Sequence, residues 1–458
     1  MILRIFISTI TCSFLLSFST KGAEKKTPPN VVLILSDDQS WTDYSFMGHE
    51  HIATPHLDKL AKRSAVFSRG YVPTALCRPA LMTLATGLYV HQHRTSGNDP
   101  SHLLANPKTE SEKYEQLRGK LISHIDEHPT IAGLLGKSGY LSHQSGKWWE
   151  GNFKRGGFTH GMTRGFPQPG GRHGDDGLKI GRNGLKPVFD FIDHSVAGEK
   201  PFFLWYAAFM PHTPHTPPKE LFEKYKAKVD SPHVARYYAM CEWYDQTCGQ
   251  LIDYLDEKGQ TDNTLIVYIS DNGWIQSVDK RGYAPRSKQS ANEGGTRQPT
   301  MFSWPGVIKP GDRGNQLCSS VDIVPTMLAA GGAKIPDSLP GYNLMDILKS
   351  GETTPRKIVF GEGCAHDVAN IDKPEDSLLY RWAVEGKWKL LLTYDGAVGR
   401  YSKSHPRAEM RPQLFDLLDD PSEENNLAKG NPEVVADLAK KIGDWWPVTE
   451  RKVLTTWE

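Results

Sequence analysis

At 458 residues and a formal net charge of +1, the chain is too long for one small core. It also lacks the bulk charge that draws a protein onto nucleic acid or a membrane surface. The expectation is one large domain with a smaller companion, and 42 glycines and 31 prolines fit many loops around a sheet.

Residues 1–23 read as a secretory signal peptide: Arg4, a mostly apolar run from Ile5 to Phe18, then small residues, with Lys21 departing from a clean cleavage pattern. The run is shorter than the ~20 apolar residues of a bilayer span, so export to a periplasmic or secreted location is expected, without stable membrane insertion. Of six cysteines, Cys12 leaves with the signal. Cys241 and Cys248 lie about 10 Å apart on a predicted helix, too far to bridge each other. No C-x-x-C zinc pattern is present, and disulfides through Cys318 or Cys364 stay open.

Four strand-like runs end in polar clusters. Val31 to Leu35 leads into Ser36-Asp37-Asp38, and Gly139 to Gln144 leads into Ser145-Gly146-Lys147. Phe202 to Tyr206 leads towards Pro211-His212-Thr213-Pro214-His215, and Leu265 to Ile269 into Ser270-Asp271-Asn272. Three are near-continuous apolar runs, as expected of strands buried on both faces, and the second is more polar. Helices are predicted from Thr54-Pro55 through Phe67, from Pro129 to near Gly139, and along Met240, Tyr244, Cys248, Leu251 and Leu255. Strands alternating with helices imply a mostly parallel sheet sandwiched by helices, with ligands beyond the carboxyl ends of its strands. All four polar clusters converge there. This catalytic domain is placed at residues 27–345. Residues 346–458 read as a C-terminal α+β subdomain, with a small antiparallel sheet from Tyr380–Val384, Lys387–Leu392 and Gln413–Leu417 and a closing helix around Glu433 to Trp446.

Asp37, Asp38, Asp271 and Asn272 offer hard oxygen ligands at two strand ends, suited to Ca²⁺ or Mg²⁺ and poorly to zinc. The structural alternatives are a helix N-cap for the first pair and an N-G turn for the second. Pro79 and Gly87 delimit a helix that puts Cys77 at its N-terminus, an anion site where a thiol ionises more easily; the plain alternative is a small buried hydrophobe. Lys288 lies in a polar stretch and would ordinarily be solvated, and the Trp148-Trp149 pair would ordinarily be core. The glycine-rich Gly170 to Gly177 segment reads as a long loop over the site.

Cys77, Pro79, Ala80, Thr86 and Gly87 resemble the sulfatase signature C-x-P-S/A-R followed by a short helix ending T-G, with Leu81 where the pattern has arginine. The resemblance extends in order through Asp37-Asp38, Thr54-Pro55-His56-Leu57-Asp58, Gly146-Lys147-Trp148, Pro211-His212-Thr213-Pro214, Asp271-Asn272-Gly273 and Lys288 to Arg297. Segments at Gly386-Lys387-Trp388-Lys389 and Leu414-Phe415-Asp416-Leu417 look like the family's C-terminal subdomain. It implies an alkaline-phosphatase-like fold and hydrolysis of sulfate esters, with sulfated carbohydrate as the expected substrate. One divalent cation, calcium ahead of magnesium, would be held by Asp37, Asp38, Asp271 and Asn272. A formylglycine made from Cys77 by a maturation enzyme would supply, as its hydrate, the nucleophilic hydroxyl. Lys147 and Lys288 would clamp sulfate oxygens, and His212 would protonate the departing alcohol.

Arg78 could supply some of the charge absent at Leu81, and His215 could bind substrate. The family pattern usually has histidine at Trp149. An indole only donates, so His173 is the candidate replacement and Trp149 a flat wall for a sugar ring, the alternative being Trp149 in the core and His173 in solvent. Competing readings are a phosphatase or phosphonate monoester hydrolase of the same superfamily, and an unmatured carbohydrate-binding relic.

Overall fold

A computed structural model of the protein describes residues 28–106, 109–395 and 411–453, so the expected signal peptide lies outside the described residues. In chain order the strands are β1 Asn30–Ser36, β2 Ala65–Phe67, β3 Arg69–Tyr71, β4 Leu141–Gly146, β5 His160–Gly161, β6 Phe202–Ala207 and β7 Thr264–Ser270. They continue with β8 Thr300–Ser303, β9 Gly311–Asp312, β10 Leu317–Ser319, β11 Ile358–Cys364, β12 Leu378–Glu385, β13 Trp388–Thr393 and β14 Gln413–Asp416. Eight form one sheet in the order β5-β4-β6-β1-β7-β8-β2-β9. Neighbours β4, β6, β1 and β7 run parallel, and β8 runs antiparallel to both of its partners.

The alternation of side chains along a strand explains why these runs are apolar throughout. Val31, Leu33 and Leu35 of β1 pack under the helices Cys77–Thr86, Ile131–Lys137 and Ile323–Ala330. Val32 and Ile34 face the opposite layer, formed by Pro55–Lys62, Lys186–Ala197 and Pro232–Glu257. Both faces are therefore apolar cores, and the sheet's polar chemistry is confined to its edge.

Two boundaries differ from expectation. The helix from Thr54 stops at Lys62, because Ala65, Val66 and Phe67 pair with Phe302, Met301 and Thr300 as β2 against β8. The second strand starts at Leu141 and runs to Gly146, since Gly139 takes a left-handed turn at φ 89°. Gly146 itself has φ 84°, and a Cβ there would lie 1.8 Å from the Ala207 carbonyl oxygen. Only glycine lets β4 end so close to β6 and deliver Lys147 to the edge.

Strands β11-β12-β13-β14 form a separate antiparallel sheet. One face packs on Leu438 and Ile442 of the closing helix Pro432–Trp445, the other on Tyr71 of β3 and Leu317 of β10. Cys77, Cys241, Cys248, Cys318 and Cys364 are all free and buried, which closes the disulfide question for the described residues.

His143 on β4 is buried with no partner for Nδ1, and burial, helped by His160, holds its pKa down to about 3. The unfolded chain, titrating near the ordinary histidine value, takes up a proton that the folded site resists. Stability is thus complete above that ordinary value and falls as pH drops through it. The unfolding free energy should lose about 2 kcal/mol from this residue between pH 7 and pH 5. Urea unfolding of wild type and His143→Phe at both pH values measures it, and equal losses in the two proteins would refute the assignment.

Candidate active site

Because β4, β6, β1 and β7 are parallel, their carboxyl ends share one edge, and each hands on a polar residue there. Asp37 and Asp38 follow β1, Asp271 and Asn272 follow β7, Lys147 follows β4, and the chain after β6 reaches His212. Backbone bonds fix these exits: Asp37 N–H donates to Met210 O at 3.0 Å, Asp271 N–H to Ser36 O at 2.9 Å, and Lys147 N–H to Ala207 O at 2.8 Å. Asp38 sits in the left-handed region at φ 64°, which turns its carboxylate back into the cluster.

Cys77 is the first residue of its helix and is buried in this cluster. Its Sγ lies 3.9 Å from Asp37 Oδ1 and 3.8 Å from Asp38 Oδ1, and Lys288 Nζ donates to it at 3.0 Å. Lys147 Nζ donates to Asp37 Oδ1 at 2.7 Å and stands 3.8 Å from Asp271 Oδ2. Lys288 Nζ spans Asp38 Oδ1 and Oδ2 at 2.5 and 2.7 Å, and Asn272 Nδ2 donates to Oδ1 at 2.7 Å. His212 Nε2 is 3.3 Å from Asp38 Oδ2. Its Nδ1 is 2.6 Å from the Thr213 carbonyl, which only accepts, so Nδ1 carries the proton and Nε2 faces the site.

Burial works against the Asp38 charge, but Lys288, His212 and Lys147 outweigh it and hold the carboxyl well below the usual range. At Asp37 and Asp271 burial prevails over Lys147, and both carboxyls are pushed up. Burial also pushes the Cys77 thiol up to about 12 against the lowering effect of Lys147 and Lys288, so the helix N-terminus does not by itself make this buried thiol easy to ionise.

Asp37 Oδ2, Asp271 Oδ2 and Asn272 Oδ1 are buried with no hydrogen-bond partner. Orphaned acceptors among crowded carboxylates call for a cation. Ligand atoms of Asp37, Asp38, Cys77 and His212 also lie within 4.8 Å of one another. That group does not include Asp271 or Asn272, but their orphaned oxygens, with the carboxylates of Asp37 and Asp38, make an oxygen-rich donor set of the kind that suits a hard divalent ion.

The other expected site residues are placed differently. Arg78 is fully buried and its Nε and Nη2 grip both oxygens of Glu150 at 2.8 and 2.7 Å, while Nη1 donates to the Asn98 carbonyl. Its guanidinium is committed there and does not fill the place left by Leu81, which packs into the core. Trp149 is also buried, between the guanidinium groups of Arg172 at 4.8 Å and Arg118 at 5.7 Å, so it presents no open wall to a sugar. His173 stands 5.2 Å from Trp149 and 5.3 Å from Phe209, a ring that also stacks on His212. Burial, with Lys147 next, holds His173 down to about 3, so it is neutral at working pH. His215 lies against Trp274, three residues beyond His212.

Glu150, Phe209 and Trp274 escaped the sequence reading. Glu150 had a signal, an acid directly after the aromatic pair, and Trp274 another, an aromatic directly after Asn272-Gly273.

The loop carrying Lys288 is held from the C-terminal sheet. Lys389 Nζ of β13 reaches Glu293 Oε1 at 2.9 Å and Glu423 Oε1 at 3.1 Å, and Glu293 N–H donates to Glu423 Oε2 at 2.6 Å. Arg286 also donates to the Glu423 carbonyl, and Tyr71 OH to Glu293.

The family model for sulfatases matches residues 29–333. The chain belongs to the sulfatase family, a class of sulfuric ester hydrolases. It is 28% identical to human arylsulfatase A, over 91% of this chain and 87% of that protein. With an N-acetylgalactosamine-6-O-sulfatase of Bacteroides thetaiotaomicron it shares 24% identity over 92% and 94% of the two chains. Among solved structures, that of Ps i-CgsB superposes with a TM-score of 0.70 at 26% identity, over 93% of this chain and 94% of the other.

The Arg78–Glu150 pair yields a test of its structural role. Breaking a buried pair from one side leaves an uncompensated charge, so Arg78→Met should cost about 3–5 kcal/mol, most of it recovered in Arg78→Met/Glu150→Leu. Denaturant unfolding of the three proteins measures the cycle. A single variant as stable as wild type would show that the pair does not carry this load.

Proposed function

We propose that the protein hydrolyses sulfate esters on a sulfated carbohydrate, with residue 77 as nucleophile after a maturation enzyme oxidises its thiol to formylglycine. The observation that carries the reading is the position of the Cys77 side chain, touching Lys288 and within 4 Å of Asp37 and Asp38. The names of relatives and neighbours, which include N-acetylgalactosamine-6-sulfatases and a structure with D-glucosamine-2-N,6-O-disulfate, support a carbohydrate substrate.

A calcium ion held by Asp37, Asp38, Asp271 and Asn272 would polarise a sulfate oxygen and favour the ionised form of a hydroxyl at position 77. Lys147 and Lys288 sit on either side of residue 77, one on Asp37 and one on Asp38, positioned to hold non-bridging sulfate oxygens as charge builds in the transition state. His212, with Nδ1–H fixed on Thr213 O, passes a proton from Nε2 to the departing alcohol when the ring is doubly protonated, a form that burial opposes and the Asp38 carboxylate beside Nε2 supports. The core that excludes water from Cys77 also strengthens these contacts. Export belongs to the same proposal, on the strength of the N-terminal apolar run; the described residues contain no helix long and apolar enough to cross a membrane.

After co-expression with a formylglycine-generating enzyme, peptide mass spectrometry should find residue 77 as the aldehyde, and the protein should release sulfate from an aryl sulfate in preference to phosphate from an aryl phosphate. A free thiol in active protein would remove residue 77 as nucleophile, and a free thiol without turnover would favour a binding relic. Elemental analysis should find one calcium per chain. Asp271→Ala should lose the ion and about 100-fold or more in kcat/KM, and full activity without metal would refute the site.

A further inference from the structure

Beside the nucleophile the surface opens into a cleft of about 620 Å³, within the range of small-molecule sites. Trp274, Tyr283, His215, His233, Arg236 and Arg281 are among the residues that line it, with Arg236 and Arg281 exposed. The catalytic cluster adjoins it through Trp274 and through Thr213, the residue after His212. Lys288 Nζ stands 5.7 Å over the Trp274 ring, and Tyr237 OH ties Trp274 O at 3.5 Å to Asp38 O at 3.2 Å. An alcohol leaving from sulfur at residue 77 would have this cleft as its neighbour.

The floor is preset. Trp274 Nε1 donates to Gln276 Oε1 at 3.2 Å, and Gln276 Nε2 donates to the carbonyls of Ser277, Lys280 and Gly282, so the loop bearing Arg281 is fixed to the indole. Trp274 and Tyr283 meet edge to face with centroids 5.2 Å apart; the indole is buried and backs the half-buried Tyr283 ring, which is the surface a sugar face can meet. His215 Nε2 is buried without a partner.

The outer wall is cationic and uncompensated. No carboxylate lines the cleft. Among the described residues Arg281 has neither a hydrogen-bond nor an ion-pair partner and is exposed. Arg236 is exposed too; its guanidinium stacks on Phe222 at 4.5 Å and spends one N–H on the Pro232 carbonyl at 3.3 Å, leaving its other donors free for an incoming group. In a chain of net charge +1, with 53 acidic residues to set beside its basic ones, two arginines without carboxylates beside the active site are a local choice rather than a bulk trend.

We infer that this cleft seats the sugar that carries the scissile sulfate, and that the substrate bears a second anionic group, a carboxylate or another sulfate, which Arg236 and Arg281 receive. The inference rests on the sulfatase reading and narrows it to polyanionic glycans. Guanidinium groups suit either anion, pairing with two of its oxygens at once. Because the arginines are exposed, their pull is screened by salt, whereas stacking on Tyr283 is not.

The test uses the full chain with Cys77→Ala, so that binding is read apart from chemistry. Three disaccharides of one linkage serve as probes: a monosulfated neutral one, one adding a carboxylate, and one adding a second sulfate. Calorimetric titration should show at least one charged probe binding about tenfold or more tightly than the neutral one, an advantage that shrinks as salt is raised and is lost in Arg236→Gln/Arg281→Gln. The arm that shows it identifies the anion. Equal affinity for all three probes, or an advantage that survives loss of both arginines, would overturn the inference. Turnover by matured wild type separates it from the parent reading. Sulfate release with the same kcat/KM from neutral and charged probes keeps the enzyme and rejects the anion site. Arginine-dependent binding without any sulfate release keeps the anion site and rejects the sulfatase reading.

Discussion

Asp37, Asp38 and Asp271 are buried together at the end of a parallel sheet, with two buried lysines facing them. Like charges out of water repel strongly, and neither lysine relieves Asp37 or Asp271 enough to keep its carboxyl at ordinary acidity. That imbalance organises the site. It calls for a cation, it fixes Lys147 and Lys288 by attraction, and it places residue 77 where both lysines and two carboxylates meet. The sheet makes this possible because parallel strands of fixed register hold the four exits against one another, and apolar layers on both faces exclude the solvent that would otherwise dissipate the charges.

Three of the strands that build this edge are legible as residues because both of their faces are buried, which leaves near-continuous apolar runs ended by polar clusters, whereas β4 is itself polar. β2 was misread as the tail of a helix, since Ala65, Val66 and Phe67 continue a helical pattern and only the pairing with β8 makes them a strand. β11 escaped notice because two glycines break its pattern; Gly361 is there so that Trp382 and the Pro73 carbonyl can come close, a reason that exists only in three dimensions. At the site, the cluster around Cys77 was readable because each member follows a recognisable element. Arg78 was not, because a charge one residue from a nucleophile looks like part of the site, and only the fold reveals Glu150 behind it.

The two departures from the family pattern sit on the same flank. Leu81 belongs to the core beneath the helix, and Trp149 lies between two arginines that share Asp99, with Arg118 and Arg172 each paired to it. Neutral, shielded His173 belongs to this packing as well.

The Lys389–Glu293–Glu423 cluster changes where the catalytic unit ends. The family match stops at residue 333, yet the loop that brings Lys288 to Cys77 is anchored by side chains from β13 and from the turn after β14. A fragment trimmed to the matched span would keep the carboxylate cluster and Cys77 but lose the brace on one of its two lysines. The small sheet is thus no appendage to be exchanged between relatives at will: grafting another specificity onto this scaffold means carrying its C-terminal third along with the site.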